Sequence, residues 1–490
     1  MRDGIAIVNP ATGAPVGEVP DQPPPDVEAA VARARAAQPA WAALPFTERG
    51  RLLRRLSRRL IDDPTLMDTL TSESGKPRYE AEAIELFYTC ELTRYVTGRA
   101  GRRAVRDELR RPFVFANKRA RVVHHPRGVI GVIGPWNWPL LNNFADCITP
   151  LACGNTVVLK PSEVAPLTSL HVGRLWREAG LPDGVLGVVT GGAPAGRALC
   201  DHVDMVFFTG GHATGKEVAQ RAAERMIPIV LELGGKSPMI VLADADLPRA
   251  ARAAVWSAFA HSGQVCIRTE RVLVEAPVAD RFVDLCAQEM TRLRAGVDVG
   301  AVTSRPLIDR VEQQIADAVA RGARVVLGGK ARADTPGQFF QPTLLAGAQP
   351  DMAVMNDETF GPVLPVMAVS GVDEALRIAN ASRFGLSGSV WSRDTARARD
   401  VARRLHAGSV CVNDALFNYF AVEAPIGGVK ASGLGVRHGP EAMRQFCRVE
   451  TILEDHPLLG FLSPFLASQL GFPYRSRSLR LIRRLMRWLY

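Results

Sequence analysis

MVFFTGGHATGKEVAQRAAERMIPIVLELGGKSP, residues 205–238, is the stretch on which the fold turns. An apolar, strand-like run ends in Gly210 and Gly211. A helical stretch, GKEVAQRAAER, follows, and a second apolar run, IPIVLELGG, closes the unit. A strand, a glycine turn and a helix bring backbone amides to a helix N-terminus, which suits a phosphate. The segment from Gly210 to Lys216 imitates the start of a P-loop. It departs from that motif at Glu217, where Ser or Thr has to reach a metal, and it is not GxGxxG either. Taken alone, a plain strand–turn–helix corner explains it equally well.

The same texture extends to both sides. Upstream lie GVIGVIGPW, NTVVLKPS and GVLGVVTG, with the helical LTSLHVGRLWREAG between two of them. From about residue 238 a second alternating block includes PMIVLADAD, RVLVEAPV, ARVVLGG, SGSVWSRD and GSVCVND. Strands alternating with helices predict parallel sheets covered on both faces, with ligands at the carboxyl ends of strands. The break between the two blocks falls near Gly234-Gly235. Helices are expected over 25–43, 47–74 and 78–100, a short strand or hairpin entry over 5–20, and an exposed, charged strand around 112–126. A chain of 490 residues exceeds one ordinary core. With 47% apolar and 22% charged residues, global disorder is excluded.

The net charge is +10, but Arg475, Arg477, Arg480, Arg483, Arg484 and Arg487 supply more than half of it from the last sixteen residues. The rest is nearly balanced, so no nucleic-acid groove is expected. The eight cysteines form no CxxC pair, which argues against a zinc site or a disulfide framework, and no metal is expected. The N-terminus has no apolar signal core, so a cytoplasmic, reducing setting is expected.

Five further motifs can carry chemistry. VVLKPSE, 157–163, delivers Lys160 and Glu163 at a strand end. LELGGKSP, 231–238, places Glu232 in an apolar run, as a paired structural acid or a general base with a raised pKa. HSGQVCIRTER, 261–271, holds Cys266 after Gly263-Gln264; for any one cysteine, burial is the ordinary reading. GPWNWPL, 134–140, fixes the Asn137 amide on a rigid loop, where it can donate to an oxyanion. DETFGPV, 357–363, sets Glu358 and Phe360 side by side.

In this order, and followed by APIGGVKASGLG at 424–435, the motifs resemble the aldehyde dehydrogenase superfamily from about residue 5 to about 450. The look is that of the hydrolytic, non-acylating branch, similar to bacterial succinate-semialdehyde and broad-specificity enzymes. The resemblance implies a doubly wound α/β cofactor domain (1–107 and 126–234) and a second α/β catalytic domain (235–430). It also implies a small β oligomerisation arm (108–125 and 431–455) ahead of an extension (456–490), and a homodimer or homotetramer. It makes Cys266 the nucleophile, Glu232 the general base and Asn137 the oxyanion amide. Lys160 and Glu163 become adenosine-ribose contacts, Gly210 and Gly215 frame the pyrophosphate turn, Glu358 meets the nicotinamide ribose and Phe360 packs near the nicotinamide. Pro135, Trp136, Ser162, Gly211 and Leu233 join the cofactor groove. NAD is the expected cofactor, with NADP as the alternative, because Glu163 should repel a 2′-phosphate. The chain departs from the family at Gly211, often Ser, and at His261, usually Asn.

Trp138, Asn142, Phe417, Tyr419 and Phe420 suggest apolar pocket walls and an aromatic or long-chain aldehyde. Arg268 is either the partner of a distal carboxylate, which would favour succinate semialdehyde, or a strand residue pointing away. Residues 476–490 form a basic amphipathic helix, with Arg on one arc and Leu479, Leu485 and Trp488 on the other. It suits an anionic membrane surface, or else docks on protein. The readings of another class are a catalytically silent scaffold and a membrane- or nucleic-acid-binding homologue; the intact Cys266, Glu232 and Asn137 argue against the first.

Overall fold

The computed structural model describes residues 4–332 and 336–489. The start of the N-terminal segment and Tyr490 of the tail fall outside this range. The chain divides into two compact units, residues 1–104 with 127–446 and residues 105–126 with 447–490.

The larger unit holds two sheets. In the first, β1 (Val129–Ile133), β2 (Thr156–Lys160), β3 (Leu186–Val188), β4 (Met205–Thr209) and β5 (Ile229–Glu232) lie parallel in the order β3-β2-β1-β4-β5. Val129, Val158, Val206 and Leu231 pack under the helices Pro24–Ala43, Ala193–His202 and His212–Glu224. Ile130, Val132, Val157 and Leu159, at the alternate positions, are equally buried. Both faces are therefore covered, as a parallel sheet requires. The strand order reverses direction between β1 and β4, which opens a crevice at their carboxyl ends. Asn137 and Gly210 follow those two strand ends.

The second sheet begins five residues later. It contains β6 (Pro238–Val241), β7 (Arg271–Glu275), β8 (Arg324–Leu327), β9 (Thr343–Ala346), β10 (Val363–Val369), β11 (Ser387–Trp391) and β12 (Ser409–Val412), in the order β8-β9-β10-β7-β6-β11-β12. Ile240 joins the core on one face, and Met239 and Val241 join the core on the other. The α/β class expected from the alternating texture is present.

Three boundaries move. The helix expected over 47–74 is two helices, Phe46–Asp62 and Leu66–Ser74. Pro64 has no N–H to continue the ladder, and Asp63 Oδ1 accepts instead from the amides of Thr65 (2.8 Å) and Leu66 (2.9 Å). The helix expected over 78–100 passes through a π-helical stretch, Ala81–Leu86, and stops at Val96. Residues 431–446, expected in the arm, belong to the larger unit, because Gly433–Leu434 pairs antiparallel with Leu231 and Glu232.

In the smaller unit, Lys118–Pro126 lies between Glu108–Arg110 and Cys447–Asp455 in an antiparallel sheet. Helices Ser463–Leu470 and Ser476–Leu489 belong to the same unit, so the extension is not a separate body. Among the described residues, no helix is long and apolar enough to cross a membrane.

Candidate active site

Two kinds of loop build the site. The first sheet supplies the carboxyl ends of β1, β2, β4 and β5. The second sheet supplies the segments that enter β7 and β10. Cys266 lies before β7, after a tight turn in which His261 and Ser262 adopt left-handed backbone angles (φ 47° and 55°). Gln264 pins this turn. Its amide donates to the carbonyls of His261 (2.9 Å) and Ala301 (3.2 Å), and its oxygen accepts from Thr303 N–H (2.8 Å). Phe360, Leu416 and His438 also have positive φ. Five such residues around one site mark backbone held against its preference, at about 1–3 kcal/mol each.

Cys266, Glu232 and Asn137 line one cavity of about 290 Å³, with Pro135, Trp136, Leu233, Glu358 and Phe360 among its other walls. Burial pushes the Cys266 thiol up to about 12; Arg437 pulls against the rise, while Glu232 and Glu358 add to it. Burial likewise raises Glu232 to about 7, opposed by Arg437. That is the range of a base working near neutral pH. Asn137 is fixed at both ends. Its Nδ2 donates to Gln264 O (2.9 Å), and its backbone carbonyl accepts from Lys76 Nζ (2.9 Å). Lys76 is itself buried against Glu85 and sits 3.7 Å over the Trp138 ring.

Next to it is a second cavity of about 280 Å³, lined by Lys160, Ser162, Glu163, Gly210 and Gly211. Pro135, Trp136, Gly210 and Gly211 border both cavities, which makes one elongated groove across the switch point. The groove fits a dinucleotide. A Cβ on Gly211 would meet nothing within 4 Å, so the cradle at the start of helix His212–Glu224 is open. That helix has no side-chain cap, which leaves its first amides for a phosphate. The Lys160 ammonium and the Glu163 carboxylate stand 3.7 Å apart on the rim. Gly215 does not line the groove; a Cβ there would strike Leu233 at 2.5 Å, so it serves helix-to-strand packing. Glu358 accepts from Gly235 N–H (2.9 Å), and burial raises it to about 7. Phe360 meets Trp136 edge-on at 5.7 Å.

A narrow apolar chamber of about 40 Å³ reaches Cys266 from the other side. Trp138, Asn142, Tyr419 and Phe420 line it, together with Leu141, Trp256, Val265 and Ile267. It shares Ile84, Trp256, Ala260 and Phe420 with a broad outer groove of about 820 Å³. Phe417, expected in the pocket wall, lines the outer groove instead, tilted against Trp256 (5.5 Å) and Phe420 (5.8 Å). Arg268 is corrected in role. Its guanidinium is fully buried, pairs with Glu270 at 2.5 Å and donates to Val363 O at 3.0 Å. Glu270 in turn accepts from the amides of Thr359 and Phe360, so Arg268 braces the DETFGPV loop and does not reach the chamber.

His261, the unexplained departure, is buried with both ring nitrogens unpartnered and its ring against Trp138 at 5.3 Å. Burial and nearby Lys76 hold it well below the ordinary histidine range, so it is neutral packing. Sequence reasoning missed Arg437 and Asp146. Asp146 carried a legible signal, an acid in the apolar run ADCITPLA, which is the same signal that marked Glu232.

Residues 2–452 match the model of the aldehyde dehydrogenase family. A Methylomonas 4,4'-diapolycopene aldehyde oxidase is 40% identical over 90% of this chain and 84% of its own length. A Mycobacterium bovis protein provisionally named an NADP+ succinate-semialdehyde dehydrogenase is 38% identical over 90% of this chain and 86% of its own. The crystal structure of a Mycobacterium tuberculosis aldehyde dehydrogenase complexed with NAD+ superposes with a TM-score of 0.88 at 34% identity, covering 93% of this chain and 96% of that one. With the fold, the groove and these likenesses together, the chain belongs to the aldehyde dehydrogenase family.

Proposed function

We propose that the protein oxidises an apolar aldehyde, aromatic or long-chain, to its carboxylic acid, with NAD(P)+ and water. The observation that carries this reading is the meeting of a thiol, a neutral-range carboxylate and a fixed amide on one cavity wall. Cys266 gives its proton to water and its sulfur bonds the aldehyde carbon; the C=O π pair moves onto the carbonyl oxygen, an oxyanion that Asn137 and the Cys266 amide stabilise. When bound, the oxidised dinucleotide supplies the hydride acceptor. Pro135, Trp136, Lys160, Ser162, Glu163, Gly210, Gly211, Leu233, Glu358 and Phe360 would hold it. Loss of hydride leaves a thioester on Cys266. Glu232 then takes a proton from water as the water oxygen bonds the acyl carbon; the carbon–sulfur bond breaks, and acid and thiolate part. A base at Glu232 supports hydrolysis over transfer to another acceptor.

The chamber walls support the apolar substrate class, since they carry no cation for a second carboxylate. Glu163 supports NAD over NADP. A panel of dodecanal, benzaldehyde and succinate semialdehyde, followed at 340 nm with each cofactor, tests all three points. Dodecanal or benzaldehyde with NAD should give the highest kcat/KM. Fastest turnover of succinate semialdehyde would overturn the apolar reading, and a higher kcat/KM with NADP would overturn the Glu163 reading. Absence of reduction with every aldehyde would leave the scaffold reading.

The exposed nine-residue edge strand Cys447–Asp455 supports an oligomer, because a long open edge seeks a partner. The tail helix supports contact with an anionic membrane. Leu479, Leu481, Met486 and Trp488 are exposed on a helix that also carries five arginines. The full chain should co-sediment with phosphatidylserine vesicles, and a chain ending at residue 474 should stay in the supernatant. Equal sedimentation would remove the idea. Eight free thiols support a reducing, cytoplasmic setting.

A further inference from the structure

Buried beside Glu232 is a cation that the mechanism above does not use. Arg437 precedes helix Gly439–Gln445 and is 5% exposed. Four partners hold its guanidinium. Nη1 donates to Asn142 Oδ1 (3.0 Å) and to the Tyr419 hydroxyl and lies 3.1 Å from Asp146 Oδ1, and Nη2 donates to Thr209 Oγ1 (2.8 Å). The remaining nitrogen, Nε, faces Glu232 Oε1 at 3.7 Å, and neither atom has a hydrogen-bond partner. The cation is thus anchored by groups other than Glu232, close enough to act on it by charge and too far to lock it.

We propose that the Asp146–Arg437 pair is the positioning element for Glu232: Arg437 stabilises the ionised carboxylate from a fixed place, and Asp146 holds Arg437 back from closing a full ion pair. Glu232 keeps a supporting positive charge and remains free to turn toward the cavity without breaking a hydrogen bond. The proposal rests on Glu232 as the base of thioester hydrolysis.

The surroundings permit a clean pH signature. The groups facing the cluster are Cys266, Tyr88, Tyr419 and His438. Burial holds the first three protonated, with Tyr419 raised well above its ordinary range, and holds His438 neutral, well below the histidine range. Burial raises three carboxyls here to about 7: Glu232, Asp146 and, acting on Cys266, Glu358. Burial raises Asp146 to about 7 against the pull of Arg437, so the two carboxylates compete for one cation and titrate as a coupled pair.

The test is the pH dependence of steady-state turnover at saturating aldehyde and NAD, from pH 5.5 to 9.5, with the pre-steady-state burst recorded at each pH. Arg437→Gln should move the rising limb up by about one pH unit or more, so that turnover near pH 6.5 falls about tenfold. Asp146→Asn should move the limb down. Arg437→Lys, which keeps the charge, should restore most of the unmodified limb. Opposite shifts from the two members of one pair are not a consequence of loosened packing. Limbs that coincide with that of the unmodified enzyme, or that move in the same direction, would overturn the proposal. Should Arg437→Gln fail to fold, Asp146→Asn decides by itself, with an unmoved limb as the refuting result. Glu232→Gln stands apart: if it retains the rising limb, the base reading fails, whatever Arg437 does.

Discussion

Cys266→Ala should abolish both the burst of reduced nicotinamide and steady turnover, with kcat falling by about 10⁶, the scale of deleting a covalent nucleophile. Seven other thiols cannot substitute, because Cys266 alone borders both the elongated groove and the apolar chamber. The fold should be unaffected, since the substitution removes one sulfur from a cavity wall and the turn is pinned by Gln264. Stopped-flow absorbance at 340 nm with saturating aldehyde checks the result, and a melting curve confirms the fold. A residual burst would place the nucleophile elsewhere.

Glu232→Gln should separate the two halves of the reaction. Hydride loss from the adduct on Cys266 does not need Glu232, so a burst close to one equivalent should persist. Hydrolysis needs a base, so the steady rate should drop about 10²–10⁴-fold. The change removes a buried charge of neutral-range pKa and preserves shape, so little stability should be lost. Burst amplitude and steady slope come from one trace. An unchanged slope would mean that another group activates water.

Part of this site is legible in the residues alone. Gly210-Gly211 after an apolar run, Asn137 between two tryptophans and Glu232 before two glycines each carry a local reason to be where they are. For Arg268 the sequence leaves both faces of a strand-entry arginine open; Glu270, two residues on, draws it into the brace under Phe360. Phe417 lines the outer groove while Tyr419 lines the chamber, because both sit on one short 3₁₀ turn, Phe417–Phe420, whose geometry the sequence does not show. Arg437 was invisible for a related reason. Nothing in GLGVRHG distinguishes a surface arginine from a buried one.

The alternation of strands and helices and the two α/β blocks are legible in the residues themselves, whereas the thiol, carboxylate and amide stand out there only through the family resemblance. The alternation follows from short-range rules: apolar periodicity sets the elements, and glycine and proline set where they end. Which side chains meet depends on the assembled fold. The switch point between β1 and β4 opens the groove, and the entry loops of the second sheet close over it. Packing of segments far apart in the chain sets Asp146, Thr209, Tyr419 and Arg437 around Glu232. Burial away from water then gives those charges their strength, and burial is a property of the assembled core that no local stretch of residues contains.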